Sequence, residues 1–531
     1  MQNYLLLLLI GCVTALPAQV SFTESTLPIL VIEPVDTIRD EPKVDAFMGL
    51  IDNGSGALNR PTDAYNGYEG LIGIELRGST SQQWPKKPYG FETRNADGSN
   101  NNVELLGLPA ENDWILYPSY FDRTLLRNVL AYHLGNRLLP YAPRTRYVEL
   151  LVDGDYRGIY ILTEKIKRDA NRVDLAKLTA DDNAGEEVTG GYLLKVDKGV
   201  TGENSFAMTE PQRPPLVFKN DFVQYVYPKP DAITAAQRDY IQTTYAELEA
   251  AFAAPDFDDP DAGYAPLIDV ASFIDFLLIN EVARNLDGYR ISTYFYKEKI
   301  TKGGRWHMGP VWDFNFAFGS ANYCLGDSPE GWAYEFNTVC PDDYFPVPFY
   351  WARLREDPAF NEQLRTRYNA LRQGPLHTDS LYQFIDAQTA MLGDAIARNR
   401  ARWPGTEGWF PATFIGESYT EDVDWLKNWL NERLLWMDGQ LSPSIVVDPA
   451  PVPGYRIASS AAGTRLLVSL PDPLPEVPRL VIYDALGRVQ RRFALPAQIE
   501  VSIEANLEPG SYVGQLLDGT KVIANQTFIR Y

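Results

Sequence analysis

The chain has 531 residues, of which 45% are hydrophobic and 22% charged, so its length suggests about three domains and its composition supports a large buried core. Asp and Glu (70) outnumber Lys and Arg (48), which gives a formal net charge of −22. This charge argues against a nucleic-acid-binding surface and a polybasic membrane patch, because both depend on clustered Lys and Arg.

Residues 1–19 have the pattern of a secretory signal peptide. Leu5 to Ile10 form a short apolar region, and Ala15 to Gln19 supply small residues for cleavage. Leu9 to Cys12 also resembles a lipoprotein box, so lipidation of Cys12 is the alternative. Beyond this segment no apolar run is long enough to span a bilayer. We therefore expect an exported protein without a transmembrane segment in its mature chain.

Short strand-like runs and turns dominate residues 28–200, which predicts a sheet-rich lobe. Leu125 to Leu138 is the one interval of this region with a helical pattern. The clearest predicted strands are Leu71–Leu76, Tyr147–Val152, Gly158–Thr163 and Gly191–Val196.

Helical patterns dominate residues 201–440. Ala271 to Ala283 is nearly continuously apolar, which indicates a buried helix. Further along, Trp and Leu recur at helical spacing, as at Trp425 and Trp429. We expect a helical lobe here, which together with the sheet-rich lobe forms one domain over residues 25–440.

Two short acidic motifs flank a predicted β-hairpin. Asp287 precedes a run rich in aromatic and β-branched residues, Ser292 to Lys297, and a turn at Thr301 to Gly304 leads into the returning strand. Asp313 follows that strand. A hairpin of this length brings Asp287 and Asp313 to the same end of the ribbon. Since hard cations prefer carboxylate oxygens, the sequence predicts a metal and phosphate site there.

The cysteines Cys324 and Cys340 follow the hairpin and have no His near them. In an exported protein an even pair of cysteines predicts one disulfide. The chain has three His residues and contains neither HExxH nor GxSxG, which argues against a zinc hydrolase and an α/β-hydrolase.

Residues 441–453 form a proline-rich linker, and residues 454–531 alternate like short strands with turns between them. This pattern predicts a small all-β sandwich. Ile482 to Arg488 and Leu507 to Tyr512 resemble the C-terminal sorting domain of type IX secretion. The resemblance implies the type IX secretion machinery as a partner. The alternative is an adhesive or structural β-module.

Four blocks of sequence occur in a fixed order between about residues 70 and 320. They are Arg77–Ser81 with Pro85–Tyr89; Asp113–Leu116 with Asp122 and Leu126–Asn128; Val152–Glu164; and Asn280–Gly319. Together they resemble the CotH kinase family, the spore-coat-protein-H-like atypical kinases. Each block alone is a weak signal, whereas their joint occurrence is specific. The resemblance implies an α+β fold with a kinase-like two-lobed domain, a mixed sheet lobe followed by a helical lobe.

The resemblance also implies roles for the two acids. Asp287 would accept the proton of a Ser or Thr hydroxyl, or orient that hydroxyl, and Asp313 would hold Mg²⁺ or Mn²⁺ across the phosphates of ATP. Many family members carry a second acid two residues after the latter, where this chain has Asn315. Protein kinases have an Asn five residues after the base, where this chain has Ser292. Asn315 and Ser292 are therefore weaker predicted metal ligands.

A phosphate-clamping cation is implied as well. Lys87 is preferred, because side chains alternate along a strand and Lys87 shares the parity of Tyr89; Lys86 remains the alternative. Arg77 could contact phosphate bidentately. Glu164 could pair with the clamping lysine, as in protein kinases.

Two functions fit these residues. The first is a secreted or surface-attached protein kinase-like phosphotransferase that uses ATP and a divalent metal on Ser or Thr of extracellular or surface proteins. The alternative is a catalytically degenerate kinase-fold protein that binds a surface polymer or a secreted partner. Ser292, Asn315 and the scarcity of ATP outside cells favour the alternative, whereas the ordered blocks favour the enzyme.

Overall fold

The structure is a computed structural model. It describes residues 20–199, 202–209, 222–404, 413–441, 456–459, 465–469, 478–484, 489–495, 500–504, 507, 510–518 and 521–530. The predicted signal peptide, Cys12 and most of the predicted linker lie outside these residues. The chain divides into two compact units, Met1–Leu434 and Leu435–Tyr531.

A closed seven-stranded barrel forms the N-terminal part of the first unit. Around the barrel the strand order is β1-β2-β3-β4-β7-β9-β8, and the parallel pairing of β1 with β8 closes it. A short hairpin, β5 with β6, forms a separate two-stranded sheet, and its Leu105 and Leu108 pack into the barrel core. The bounds are β1 Ile29–Pro34, β2 Val44–Ile51, β3 Tyr68–Leu76, β4 Tyr89–Arg94, β5 Val103–Leu105, β6 Leu108–Glu111, β7 Asp113–Tyr117, β8 Thr145–Val152 and β9 Asp155–Glu164.

The barrel interior is filled by alternate side chains of its strands. Met48, Ile72, Phe91, Trp114 and Leu150 are buried members of this core. Because these side chains fill the barrel, its interior is a packed core rather than a ligand cavity. Burying each such side chain contributes roughly 1.5–3 kcal/mol to stability.

A five-stranded sheet with the order β11-β12-β10-β13-β14 follows the barrel. The predicted hairpin is confirmed, because β13 pairs antiparallel with β14 and Phe295 faces Met308. On its other side β13 pairs antiparallel with β10, which places Lys195 opposite Tyr294. The bounds are β10 Tyr192–Val196, β11 Ser205–Ala207, β12 Phe222–Tyr227, β13 Thr293–Lys297 and β14 Trp306–Met308.

Most of the helices follow the barrel in the chain, as the sequence predicts. The helix over Val270–Ala283 is buried on nearly every side, which explains its continuous apolar run, and Asp269 caps its first turn. The bounds are α1 Arg127–Leu138, α2 Ala235–Ala253, α3 Val270–Ala283, α4 Phe336–Val339, α5 Tyr350–Leu354, α6 Pro358–Arg372, α7 Thr378–Leu392, α8 Ala395–Arg402 and α9 Tyr419–Leu441. Within the described residues, none of these helices is both long and apolar enough to cross a membrane.

The described C-terminal strands form two antiparallel sheets, β15-β16-β19 and β18-β17-β20-β21. Buried side chains such as Val468, Leu480, Ile482 and Leu516 form one apolar cluster. The bounds are β15 Arg456–Ser459, β16 Arg465–Ser469, β17 Arg479–Asp484, β18 Val489–Ala494, β19 Glu500–Glu504, β20 Gly510–Asp518 and β21 Lys521–Arg530.

The mixed α and β content agrees with the predicted fold class. The sheet-rich lobe, however, is a closed barrel rather than a mixed sheet. The kinase-like two-lobed layout, the C-terminal sandwich and the sorting domain remain predictions.

Candidate functional site

Asp313 lies in a loop that follows β14 and is held by α1. The Phe314 amide donates to Asn128 Oδ1 at 2.6 Å, and the Asp313 amide donates to the Tyr132 hydroxyl at 3.3 Å. Asn128 and Tyr132 are four residues apart and therefore share one face of α1. Asp313 has a φ of +63°, a left-handed conformation that a non-glycine residue keeps only when its surroundings fix it.

The position of α1 is itself fixed by a buried ion pair. Arg127 Nη1 lies 2.6 Å from Asp122 Oδ1, and Arg127 Nε donates to the Ala317 carbonyl at 3.1 Å. Through these contacts the second sequence block supports the loop of Asp313. Asp122, Arg127 and Asn128 form a recognisable motif in the sequence, but only the structure shows their role.

Asp287 lies in a strained loop between α3 and β13. Arg284, Tyr289 and Ser292 all have positive φ angles, of 41°, 71° and 52°. Gly288 has no room for a side chain, because a Cβ atom there would lie 2.5 Å from Asn280 Oδ1. Strain of this kind persists where the surrounding structure determines the backbone, and it is common at functional sites.

Asn285 links the two acidic loops. Its Oδ1 accepts from the Asp287 amide at 3.3 Å, and its Nδ2 donates to the Asp313 carbonyl at 3.4 Å. Burial and, second, the Asp287 carboxylate raise the pKa of Asp313 to about 7, whereas Lys198 and Arg77 oppose this rise. The structure therefore brings Asp287 and Asp313 into one site, as the hairpin predicts.

Cations from two distant parts of the chain lie at this site. The Arg77 guanidinium is 5.5 Å from the centre of the Trp312 ring and forms no ion pair among the described residues. Lys195 pairs with Asp197 at 2.6 Å. Lys198 Nζ lies 3.5 Å from Thr80 Oγ1 and is close enough to Asp313 to lower the pKa of that carboxyl. No motif in the sequence pointed to Lys195 or Lys198, and the only sign of them was the charge at the end of the predicted strand Gly191–Val196.

The structure does not support the predicted roles of three residues. The Lys87 ammonium donates to the Gln82 carbonyl at 2.6 Å, within its own loop. Lys86 is buried, with its ammonium 2.6 Å from the Ile159 carbonyl and 2.9 Å from Asn399 Oδ1, in the contact between barrel and α8. The Glu164 carboxylate binds Arg144, at 2.7 and 2.8 Å, rather than a clamping lysine. Strand parity fails because Lys87 precedes β4 instead of lying in it.

The residues near Asp313 suit a divalent cation. Asn315 Oδ1 is buried and accepts no hydrogen bond from the described part of the chain. That unpaired carbonyl oxygen, two residues after Asp313, is a ligand type that hard cations accept. Ser292 immediately precedes β13 and is buried. The described residues contain no cluster of three or more His, Cys, Asp or Glu in position to hold a metal. Mg²⁺ needs no such cluster, because phosphates and water complete its coordination.

The raised pKa of Asp313 predicts a pH-dependent stability. Its folded pKa of about 7 exceeds the ordinary value of 3.8, so the ionised carboxylate destabilises the fold and stability falls as pH rises between these values. We expect metal-free Asp313→Asn to unfold like the wild type near pH 4 and to be more stable at pH 8. The gain should be at most about 4 kcal/mol, since the pKa rises from 3.8 to about 7 and one pKa unit is about 1.4 kcal/mol. Thermal melts across pH 4–8 test this, and an equal difference at every pH would contradict it.

The predicted disulfide is confirmed. Cys324 and Cys340 are bonded, with their Cα atoms 5.8 Å apart. Tyr323, immediately before Cys324, lies near both acids, and burial and then the Asp287 carboxylate raise the pKa of its hydroxyl. The disulfide-bridged segment therefore borders the site.

A family model described as CotH kinase protein matches residues 74–437, more than half of the chain. The chain belongs to the CotH kinase protein family. The matched range includes Arg77, Lys195, Lys198, Asp287 and Asp313. No curated protein matched the chain.

Proposed function

We propose that this CotH family protein is an exported phosphotransferase that uses ATP and Mg²⁺ or Mn²⁺ to phosphorylate Ser or Thr hydroxyls of extracellular or surface proteins. The observation that carries the proposal is the meeting of two carboxylates, Asp287 and Asp313, with the ammonium of Lys198 and the Arg77 guanidinium, which has no ion-pair partner in the described part of the chain. Carboxylates for a metal and cations for phosphate are the parts that phosphoryl transfer requires.

The two acids have separate tasks in this proposal. Asp313 and the Asn315 carbonyl oxygen would hold the cation, and Arg77 and Lys198 would hold the phosphates. When bound, ATP and the metal supply a phosphoryl group whose negative charge is partly neutralised. Asp287 receives the acceptor hydroxyl and takes its proton. Burial raises the pKa of Asp287 above its ordinary range, which makes the carboxylate a better proton acceptor, although Arg290 opposes the rise.

A binding protein without catalysis is the second candidate. Asn315 contributes no charge where many relatives have an acid, and a raised pKa makes Asp313 protonated at mildly acidic pH. Both features weaken cation binding.

We further propose that residues 454–531 act in type IX export rather than in catalysis, since the site residues all lie before residue 435.

Titration of Mg²⁺–ATP into the full chain tests the nucleotide site. We expect Arg77→Gln to weaken binding about 10- to 100-fold, because a hydrogen bond to a charged group contributes about 1.5–3 kcal/mol. Lys87→Gln is the matched control and should bind like the wild type, since its ammonium contacts the Gln82 carbonyl. If Lys87→Gln loses affinity and Arg77→Gln does not, the assignment of the cations is wrong. If the wild type does not bind Mg²⁺–ATP, the proposal that this protein is a phosphotransferase is wrong.

A further inference from the structure

Arg290 joins the loop of Asp287 to the disulfide-bridged segment. Its side chain is 3% exposed. Nε donates to the Leu286 carbonyl at 2.7 Å, while Nη1 donates to Asp343 Oδ1 at 2.9 Å and to the Phe345 carbonyl at 3.0 Å. The Phe336 ring covers the guanidinium, with 3.9 Å between the Arg290 Cζ atom and the ring centre. The donors of Arg290 thus bind both the loop of Asp287, at Leu286, and the disulfide-bridged segment, at Asp343 and Phe345.

The contact between Arg290 and Asp287 is the longest of the set. Nη2 lies 3.4 Å from Asp287 Oδ1. Since the bonds to Leu286, Asp343 and Phe345 are all shorter, they fix the guanidinium, and the guanidinium in turn fixes Asp287. One carboxylate oxygen of Asp287 is thereby oriented by a group whose own place depends on residues 336–345.

The segment that holds Arg290 is braced by the disulfide. Phe336 lies within the loop closed by Cys324 and Cys340, and Asp343 follows Cys340 by three residues. Asn337 exchanges two hydrogen bonds of 2.8 Å with the backbone of Val347, which ties the segment together. Because closing a loop restricts the conformations of the chain, the bond limits where Phe336 and Asp343 can lie.

We propose that Arg290 is a positioning residue for Asp287, and that the Cys324–Cys340 disulfide keeps Arg290 in place, so that reactivity toward the acceptor hydroxyl depends on the redox state of this bond. The regulatory part rests on the proposed function. Both cysteines are partly exposed. A dithiol such as dithiothreitol would cleave the bond to two thiols and become a cyclic disulfide itself.

Kinetics of the full chain test the catalytic consequence. With ATP and a Ser/Thr peptide library, we expect Cys324→Ser/Cys340→Ser, Asp343→Asn and Arg290→Met each to lower kcat about 10- to 100-fold, because small displacements of a reacting group cost this much. The KM for ATP should be unchanged, since Arg77 and Lys198 are untouched. Arg290→Lys should recover part of the rate. Adding the cysteine substitutions to Arg290→Met should cause no further loss, because both act through one contact. Independent, multiplying losses would overturn the proposal, as would a wild-type kcat in the cysteine variant.

Hydrogen exchange tests the coupling without any activity. In the cysteine variant, and in wild type treated with dithiothreitol, amide exchange in residues 284–292 should increase several-fold. Exchange in β8, Thr145–Val152, should stay unchanged as the internal control. Unchanged exchange in residues 284–292, or an equal increase in β8, would overturn the coupling. Failure of the wild type to transfer phosphate would reject the proposed function alone, because exchange still decides whether the disulfide orders the loop.

Discussion

Replacing Asp287 by Asn should lower kcat about 10²- to 10⁴-fold, the range that general-base catalysis contributes. The amide cannot take a proton from the acceptor hydroxyl, yet it keeps the size of the carboxylate. The Asp287 backbone amide still donates to Asn285 Oδ1, so we expect the loop to keep its shape. Affinity for Mg²⁺–ATP should stay within about threefold of wild type, because Asp313, Arg77 and Lys198 carry that binding.

Two measurements distinguish this expectation from simple unfolding. Transfer of labelled phosphate from ATP to a Ser/Thr peptide library gives kcat, and calorimetric titration gives nucleotide affinity. Asp379→Asn is the matched control, because that carboxylate is 77% exposed and far along the chain in α7, and it should behave as wild type. Transfer at the wild-type rate by Asp287→Asn would remove Asp287 from the reaction. Loss of nucleotide binding would instead give Asp287 a share in holding the metal.

Replacing Arg433 by Met should destabilise the protein by about 3–5 kcal/mol, which is the usual cost of leaving a buried charge without its partner. Arg433 Nη2 lies 3.1 Å from Glu281 Oε2, and both side chains are fully buried. Glu281 also accepts from the Tyr289 hydroxyl at 2.9 Å and from the Ala333 amide at 2.8 Å. Glu281 lies near the end of α3, just before the loop of Asp287, so the loss should also loosen that loop.

Urea unfolding followed by circular dichroism measures this loss. Arg365→Met is the matched control, because Arg365 forms an exposed pair with Glu362 at 2.9 Å, and such pairs contribute about 0–1 kcal/mol. Adding Glu281→Gln to Arg433→Met should recover part of the stability, since it removes the buried charge and keeps one of the two accepting oxygens. Equal losses in the Arg433 and Arg365 variants would show that this ion pair does not stabilise the fold.

Local patterns in the sequence determined much of this protein. The aromatic and β-branched run Ser292–Lys297 and the turn after it predicted the hairpin that brings Asp287 and Asp313 together. The apolar run at Ala271–Ala283 predicted the buried helix before them. The even number of cysteines after the signal peptide predicted the disulfide between Cys324 and Cys340. In each case the information is short in range, because strand period, helix period and turn chemistry are properties of neighbouring residues.

Contacts between distant segments were decided only by the tertiary structure. The barrel closes because β1 pairs in parallel with β8, more than one hundred residues later, and no local period specifies that partner. Lys195 reaches the site because β10 adds to the hairpin at β13. Lys86 and Lys87 carry the same charge as Lys198. The Lys86 ammonium, however, is buried and donates to the Ile159 carbonyl, and the Lys87 ammonium donates to the Gln82 carbonyl in its own loop. Residue type therefore indicated which chemistry was available, whereas long-range pairing and burial decided which cations face the two carboxylates.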